Sequence, residues 1–229
     1  MTDRHETRRA FGRCAVLPLM RRGRQLHGLA NWYAFRIAPL FTPGADRAAL
    51  LCALAHDLRQ QSGQLVLAPL PDEDGTATAL AAALRKAGWA TFMAPCDRNH
   101  VLPVRGRSFD EYLAGRPGAL RTTLRRKAHR VEVTIDHTFN ETNWTAYEAI
   151  YAHSWKGAEG NPAFLRHFAA EEGRAGRLRL GLARVDGQPV AAQFWTVEGR
   201  SAFIHKLAHA ETAKALSPGT ALTAALMKQ

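Results

Sequence analysis

The stretch SAFIHKLAHAETAKALSPGTALTAAL, residues 201–226, decides how the rest of the chain is read. Residues 201–208 read as a strand, the polar AETAKAL breaks it, and Ser217, Pro218 and Gly219 open an alanine-rich helix. Ser217 reads as the N-cap. Pro218 gives up no donor that a first helical turn needs, and Gly219 admits close approach to the backbone. A helix start of this kind presents free N–H groups and a partial positive charge to an anion such as a pyrophosphate, with Lys214 as added charge. Alone, Ser-Pro-Gly-Thr marks no more than a helix start. The preceding residues add weight. Leu178, Leu180 and Leu182 share one face of a strand at 177–185, Asp186-Gly187 is a hairpin signal, 189–197 is a second strand, and Glu198-Gly199 turns into the third. The result is an antiparallel meander that feeds a helix N-terminus.

Working outward, Asn161 and Pro162 start a helix running to about Glu172. TNWTAYEAIYAHSWKG (142–157) carries Trp144, Tyr147, Tyr151 and Trp155 at helical spacing, an aromatic stripe of the kind that forms core. A strand at 131–136 precedes it. SFDE (108–111) is a capping box for a short helix, and a second helix at about 118–131 sets Leu120, Leu124, Ala128 and Val131 against Arg121, Arg125, Arg126 and Arg130. The first half alternates: a strand at 14–19, a helix at 46–61, a strand at 65–70, a helix at 76–87 and a strand at 89–94. The expected division is 1–107, an α/β half, and 108–229.

Composition narrows the class. The chain has 229 residues, 46% of them apolar, enough to bury a core as one large domain or two small ones. No window approaches the roughly 18 to 20 consecutive apolar residues of a membrane span, and MTDRHETRRAFGR lacks the apolar core of a signal peptide, so the cytoplasm is the expected compartment. Cys14, Cys52 and Cys96 lie far apart with no CxxC pair and read as reduced core thiols, with no metal site signalled. The net charge is +11, with seven arginines in residues 1–25 and a second basic run at 116–130. Such a balance suits an anionic substrate or a polyanion, and equally a solvated arginine-rich face.

The segment HKLAHAETAKALSPGTALTAAL (205–226) resembles the corresponding segment of the CelD-like acetyltransferases, a branch of the GNAT superfamily close to the Fem-like (BioF2-like) proteins. FDEYLAGRPGALRTTLRRKAHRVE (109–132) and SWKG (154–157) look like the same group. The resemblance implies a GNAT-like mixed, mostly antiparallel sheet flanked by helices, with 1–107 as a degenerate GNAT-like half. It also implies transfer of an acyl group, acetyl above all, from coenzyme A to an amine or hydroxyl of a sugar or cell-envelope precursor. The donor would sit on Leu216, Ser217, Gly219 and Thr220 with Lys214 nearby, its pantetheine running along the strand edge at Leu207 and Ala208. Related sequences continue through a further strand after this helix, so the second half is expected to be incomplete at its C-terminus.

Direct transfer needs a proton acceptor and oxyanion stabilisation beside the thioester. His205 and His209 differ by four and, in a regular strand, face the same side; either is a candidate base, and Lys206, expected on the opposite face, is a candidate anion ligand. Trp155, Lys156 and Arg126 are candidate acceptor contacts. Two further readings stand beside this one: a Fem-like transferase using aminoacyl-tRNA, for which the basic helix is the RNA surface, and a non-catalytic basic binding module.

Overall fold

The computed structural model describes residues 14–96 and 98–229. Most of the basic N-terminal run therefore lies outside the described residues. The chain divides into two compact units, Met1–Val101 and Leu102–Gln229.

In the first unit, β1 (Ala15–Val16) pairs with β4 (Leu40–Phe41), while β2 (Leu19–Arg22), β3 (Gln25–Gly28) and β5 (Gln64–Val66) form a three-stranded sheet in that order. Helices α1 (Arg47–Gln61) and α2 (Thr76–Lys86) close a core of Leu51, Ala55, Leu80 and Leu84. The strand expected at 14–19 is broken at Leu17 and Pro18, and the one expected at 65–70 stops at Val66, before Pro69, which has no N–H to give a ladder. The expected strand at 89–94 is absent: Trp89 instead donates its indole N–H to Ala55 O, and Phe92 stands 95% exposed. Apolar alternation specifies a strand only where a neighbouring edge pairs with it.

The second unit opens with α3 (Phe109–Ala114), where the Ser108–Glu111 capping box forms as expected. It continues through α4 (Gly118–Lys127), which ends in a 3-10 turn, β6 (Glu132–Asp136), α5 (Glu141–Ala152), α6 (Pro162–Arg174), β7 (Leu178–Val185), β8 (Gln188–Glu198), β9 (Ser201–His209) and α7 (Pro218–Leu226). The four strands lie in the order β6-β7-β8-β9, every pair antiparallel, so β9 is an edge. The mixed fold of a mostly antiparallel sheet flanked by helices is the one the resemblance implies.

Each face of this sheet has its own helices. Leu178, Leu180 and Leu182 point with Phe194 toward α5 and α6, where Trp144 meets Phe194 edge-on at 5.4 Å and is fully buried. Trp155, the fourth aromatic of the stripe, lies past the end of α5 and is 53% exposed. Ala183, Ala191 and Trp195 point the other way, into a cluster with Leu222 and Leu226 of α7. Helix α7 comes this close because Gly181 has no side chain: a Cβ there would sit 2.8 Å from Leu222 Cδ1. Cys14 and Cys52 are half-buried and Cys96 is exposed, so Cys96 is not the core thiol expected; all three are free.

Candidate active site

The site is built on β9, the turn after it and the start of α7. The β8–β9 ladder slips by one residue: Phe194 stands opposite Lys206 and Trp195 opposite Ile204, so His205 is the extra residue of a β-bulge. The slip reverses the alternation that places His205 and His209 on one face. His205 stacks on Phe194 at 4.9 Å and meets Phe168 of α6 at 5.3 Å, whereas His209 sits beside Gly219 at the start of α7. Lys206, expected opposite His205, shares its face, with its ammonium 5.5 Å from the Tyr151 ring.

The two histidines therefore live in different surroundings. His205 lies among aromatic rings with Nε2 2.9 Å from Thr196 Oγ1. Burial, reinforced by the Lys206 charge against the opposing pull of Glu172, lowers its pKa to about 4, so the ring is neutral at neutral pH. His209, half-buried at the end of the strand, meets the Trp155 ring at 4.4 Å with the two planes tilted by 46° and has Nε2 3.7 Å from Glu211.

Beyond β9 a 3-10 turn, Glu211–Leu216, delivers Ser217 in the left-handed region (φ 53°, ψ 46°). In that conformation the Ser217 side chain makes no capping bond to α7, contrary to the N-cap role expected of it. Its hydroxyl instead accepts from Lys127 Nζ at 3.4 Å, across 90 residues of sequence. In the first turn of α7 Pro218 has no N–H to offer and Gly219 N–H is left without a side-chain cap, while a lysine stands beside Ser217. Thr220 N–H is turned back onto Ser217 O. A Cβ on Gly219, which is buried, would make ordinary contact with Leu207 Cδ1 (3.5 Å) and His209 Nδ1 (3.8 Å), so this glycine faces β9.

On the other flank, the loop between α5 and α6 folds Glu159 against β9. Its carboxylate lies 3.2 Å from Lys206 Nζ, both side chains being little more than a tenth exposed. Burial and the nearby Lys206 push the Lys156 pKa below the usual lysine range, with Glu159 partly offsetting them. Among the described residues, no group of three or more His, Cys, Asp or Glu side chains is placed to hold a metal ion, and no helix is long and apolar enough to cross a membrane.

Residues 116–229 match the family model described as an acetyltransferase (GNAT) domain. The C-terminal region carries a GNAT-type acetyltransferase domain. A domain of this kind uses acyl-coenzyme A. No curated protein matches the chain. Among solved structures, the chain is similar at 14% identity and a TM-score of 0.48 to the C-terminal domain (DUF2156) of an Agrobacterium fabrum protein described as a putative lysylphosphatidylglycerol synthetase. That likeness covers 93% of this chain and 62% of the other.

Within the GNAT domain, the structure gathers His209, Leu207, Ser217, Gly219 and Thr220 around the start of α7, and Lys206, Lys156 and Trp155 around the α5–α6 loop. Ala208 is fully buried and pairs with Ala192, and Leu207 pairs with Gln193. Leu216 ends the 3-10 turn, while Lys214 is mostly exposed and leans on Glu211 at 3.5 Å. Arg126 is exposed on α4, a helix that packs against α7. Sequence reasoning does not find Lys127 or Glu159. Lys127 had a signal: it lies seven residues after Leu120 and three after Leu124, on the leucine side of the basic helix. Glu159, in an irregular Gly-rich loop, had none.

Proposed function

We propose that the GNAT domain transfers an acetyl group from acetyl-coenzyme A to an amine or hydroxyl of a sugar or cell-envelope precursor, with the donor's diphosphate at the start of α7 and its pantetheine along β9. The observation that carries this reading is the uncapped first turn of α7, with the Ser217 hydroxyl turned to Lys127 instead of the helix. The Gly219 N–H, the positive end of the helix and the adjacent ammonium fit a diphosphate. Gln193 adds a fitting group: its Oε1 is buried without a hydrogen-bond partner among the described residues, in register with Leu207, and can accept from an amide N–H. The donor supplies a thioester carbonyl. The chain's own residues then orient the acceptor, exclude water and take one proton. His205 is disfavoured as the proton acceptor, because an acceptor working at neutral pH needs a pKa near that pH and His205 is held far below it, whereas His209 stands beside Gly219 at the start of α7. His205 fills the bulge and sets the direction of Lys206. The N-terminal half, residues 1–107, serves in this proposal as a degenerate GNAT-like half.

Calorimetric titration of the chain with acetyl-coenzyme A tests the assignment, and absence of binding refutes it. A second reading, transfer from aminoacyl-tRNA, is favoured by the exposed Arg121, Arg125, Arg126 and Arg130 and by a recess of about 290 Å³ lined by Gly118, Arg121, Thr122 and Arg125. Titration with transfer RNA in the same cell separates the two.

A further inference from the structure

We propose that Lys156 and Lys206 form a cationic subsite for the acceptor, and that the acceptor carries an anionic group, a phosphate or a carboxylate, beside a ring that lies on Trp155. The word acceptor rests on the acyl-transfer reading above; the subsite itself rests on the geometry of the α5–α6 loop and β9.

Lys206 enters this corner directly after the bulge, backed by the Tyr151 ring. Glu159 answers its charge at 3.2 Å, and together these two groups are neutral. Lys156, which holds its ammonium 5.5 Å from the Trp155 ring, is the second cation here, so that these three side chains together carry a net positive charge. That charge is held at a cost. Partial burial removes water from Lys156, and Lys206 repels it more than Glu159 attracts it, which is why its pKa falls. A cation in this position gains most from an arriving anion, which supplies the countercharge that solvent no longer provides and forms a charge-assisted hydrogen bond. Among the described residues, the charged groups of the neighbouring β9 end do not supply it. Glu211 lies between His209 and Lys214, and His205 on the Lys206 face is neutral.

Trp155 adds shape to charge. A tryptophan left more than half exposed, yet held against the His209 ring at 4.4 Å, is a fixed aromatic surface next to the ammonium groups. A ring with an anionic substituent satisfies both features at once: its apolar face lies on the indole and the anion reaches the two lysines. His209 then stands within the same corner, between the ring-binding surface and the start of α7.

The test is labelling of lysines in the full chain by acetic anhydride, mapped by mass spectrometry, with glucose 6-phosphate, glucuronate or glucose present at matched ionic strength. A bound anion at about ten times its dissociation constant leaves about a tenth of the sites open, so labelling of Lys156 falls about 10-fold. Lys86 and Lys228, exposed and far from this corner in sequence, keep their labelling, and glucose protects nothing. The arm that protects identifies phosphate or carboxylate as the recognised group. Lys156→Gln, which leaves the Glu159–Lys206 pair intact, weakens calorimetric affinity for the protecting compound while preserving the fold. The proposal is overturned by any of three results: no protection from either anion, equal protection by glucose, or equal protection at all lysines. A parallel titration with acetyl-coenzyme A keeps the two readings apart. Donor binding without Lys156 protection overturns the subsite alone, and protection without donor binding overturns acyl transfer alone.

Discussion

Replacing His205 by Gln separates the acid sensitivity of the GNAT domain into the part this one ring causes and the rest. In the folded chain the imidazole, enclosed by Phe194, Phe168 and Thr196, protonates only near pH 4, whereas in the unfolded chain it protonates near its ordinary value of 6.5. Above pH 6.5 neither state carries the proton and the stability is fully present. As pH falls below 6.5 the unfolded state binds a proton that the folded state refuses, so stability drops, and the loss ends as pH passes through about 4. At about 1.4 kcal/mol per pH unit, the window corresponds to a loss of about 3 kcal/mol. The glutamine of His205→Gln keeps a polar group for Thr196 and does not titrate. The expected result is that the native chain loses about 3 kcal/mol more than His205→Gln between about pH 7.5 and pH 4. Hydrogen exchange of the β8 and β9 peptides across a urea series reads this unit by itself. Parallel pH curves for the two proteins, within about 0.5 kcal/mol, would refute the claim that His205 is buried neutral.

Other consequences are open to the same kind of test. Removing either member of the little-exposed Glu159–Lys206 pair takes away the other's counter-charge at 3.2 Å, so Glu159→Gln and Lys206→Met each cost about 3 kcal/mol, while the double variant recovers most of the loss. Additive single costs in urea melts would contradict a coupled pair. Lys127→Met weakens acetyl-coenzyme A binding about 5-fold and flattens its salt dependence, as expected of a half-exposed ammonium beside a diphosphate; unchanged calorimetry at low and high salt removes Lys127 from the donor site. Gly219→Ala folds with stability equal to or up to about 1 kcal/mol above the native chain, because its Cβ meets Leu207 and His209 at ordinary distance. Gly181→Val, at a position where even a Cβ presses on Leu222 and Leu226, costs about 2 kcal/mol or more in the same melts.

The elements themselves follow from local chemistry. Period-two leucines with Asp186-Gly187 between them gave β7 and β8, Asn161-Pro162 gave the start of α6, and Ser108 with Glu111 gave the start of α3, because caps, turns and alternation act over a few residues. The strand at 89–94 failed for the complementary reason: among the described residues that segment pairs with no neighbouring strand, and pairing is not local. The site depended on register and long-range packing. A one-residue slip opposite Phe194 turned His205 away from His209 and placed Lys206 beside it, and nothing in HKLAH marks that slip, since a bulge is fixed by how two strands meet. In the same way Lys127 reached Ser217 across 90 residues, and Glu159 reached Lys206 across 47, only because helix packing and a loop's path brought those side chains together. Sequence spacing specified which residues share a helix face or a turn, whereas the meeting of the charged groups was decided by the fold, through contacts whose partners lie far apart along the chain.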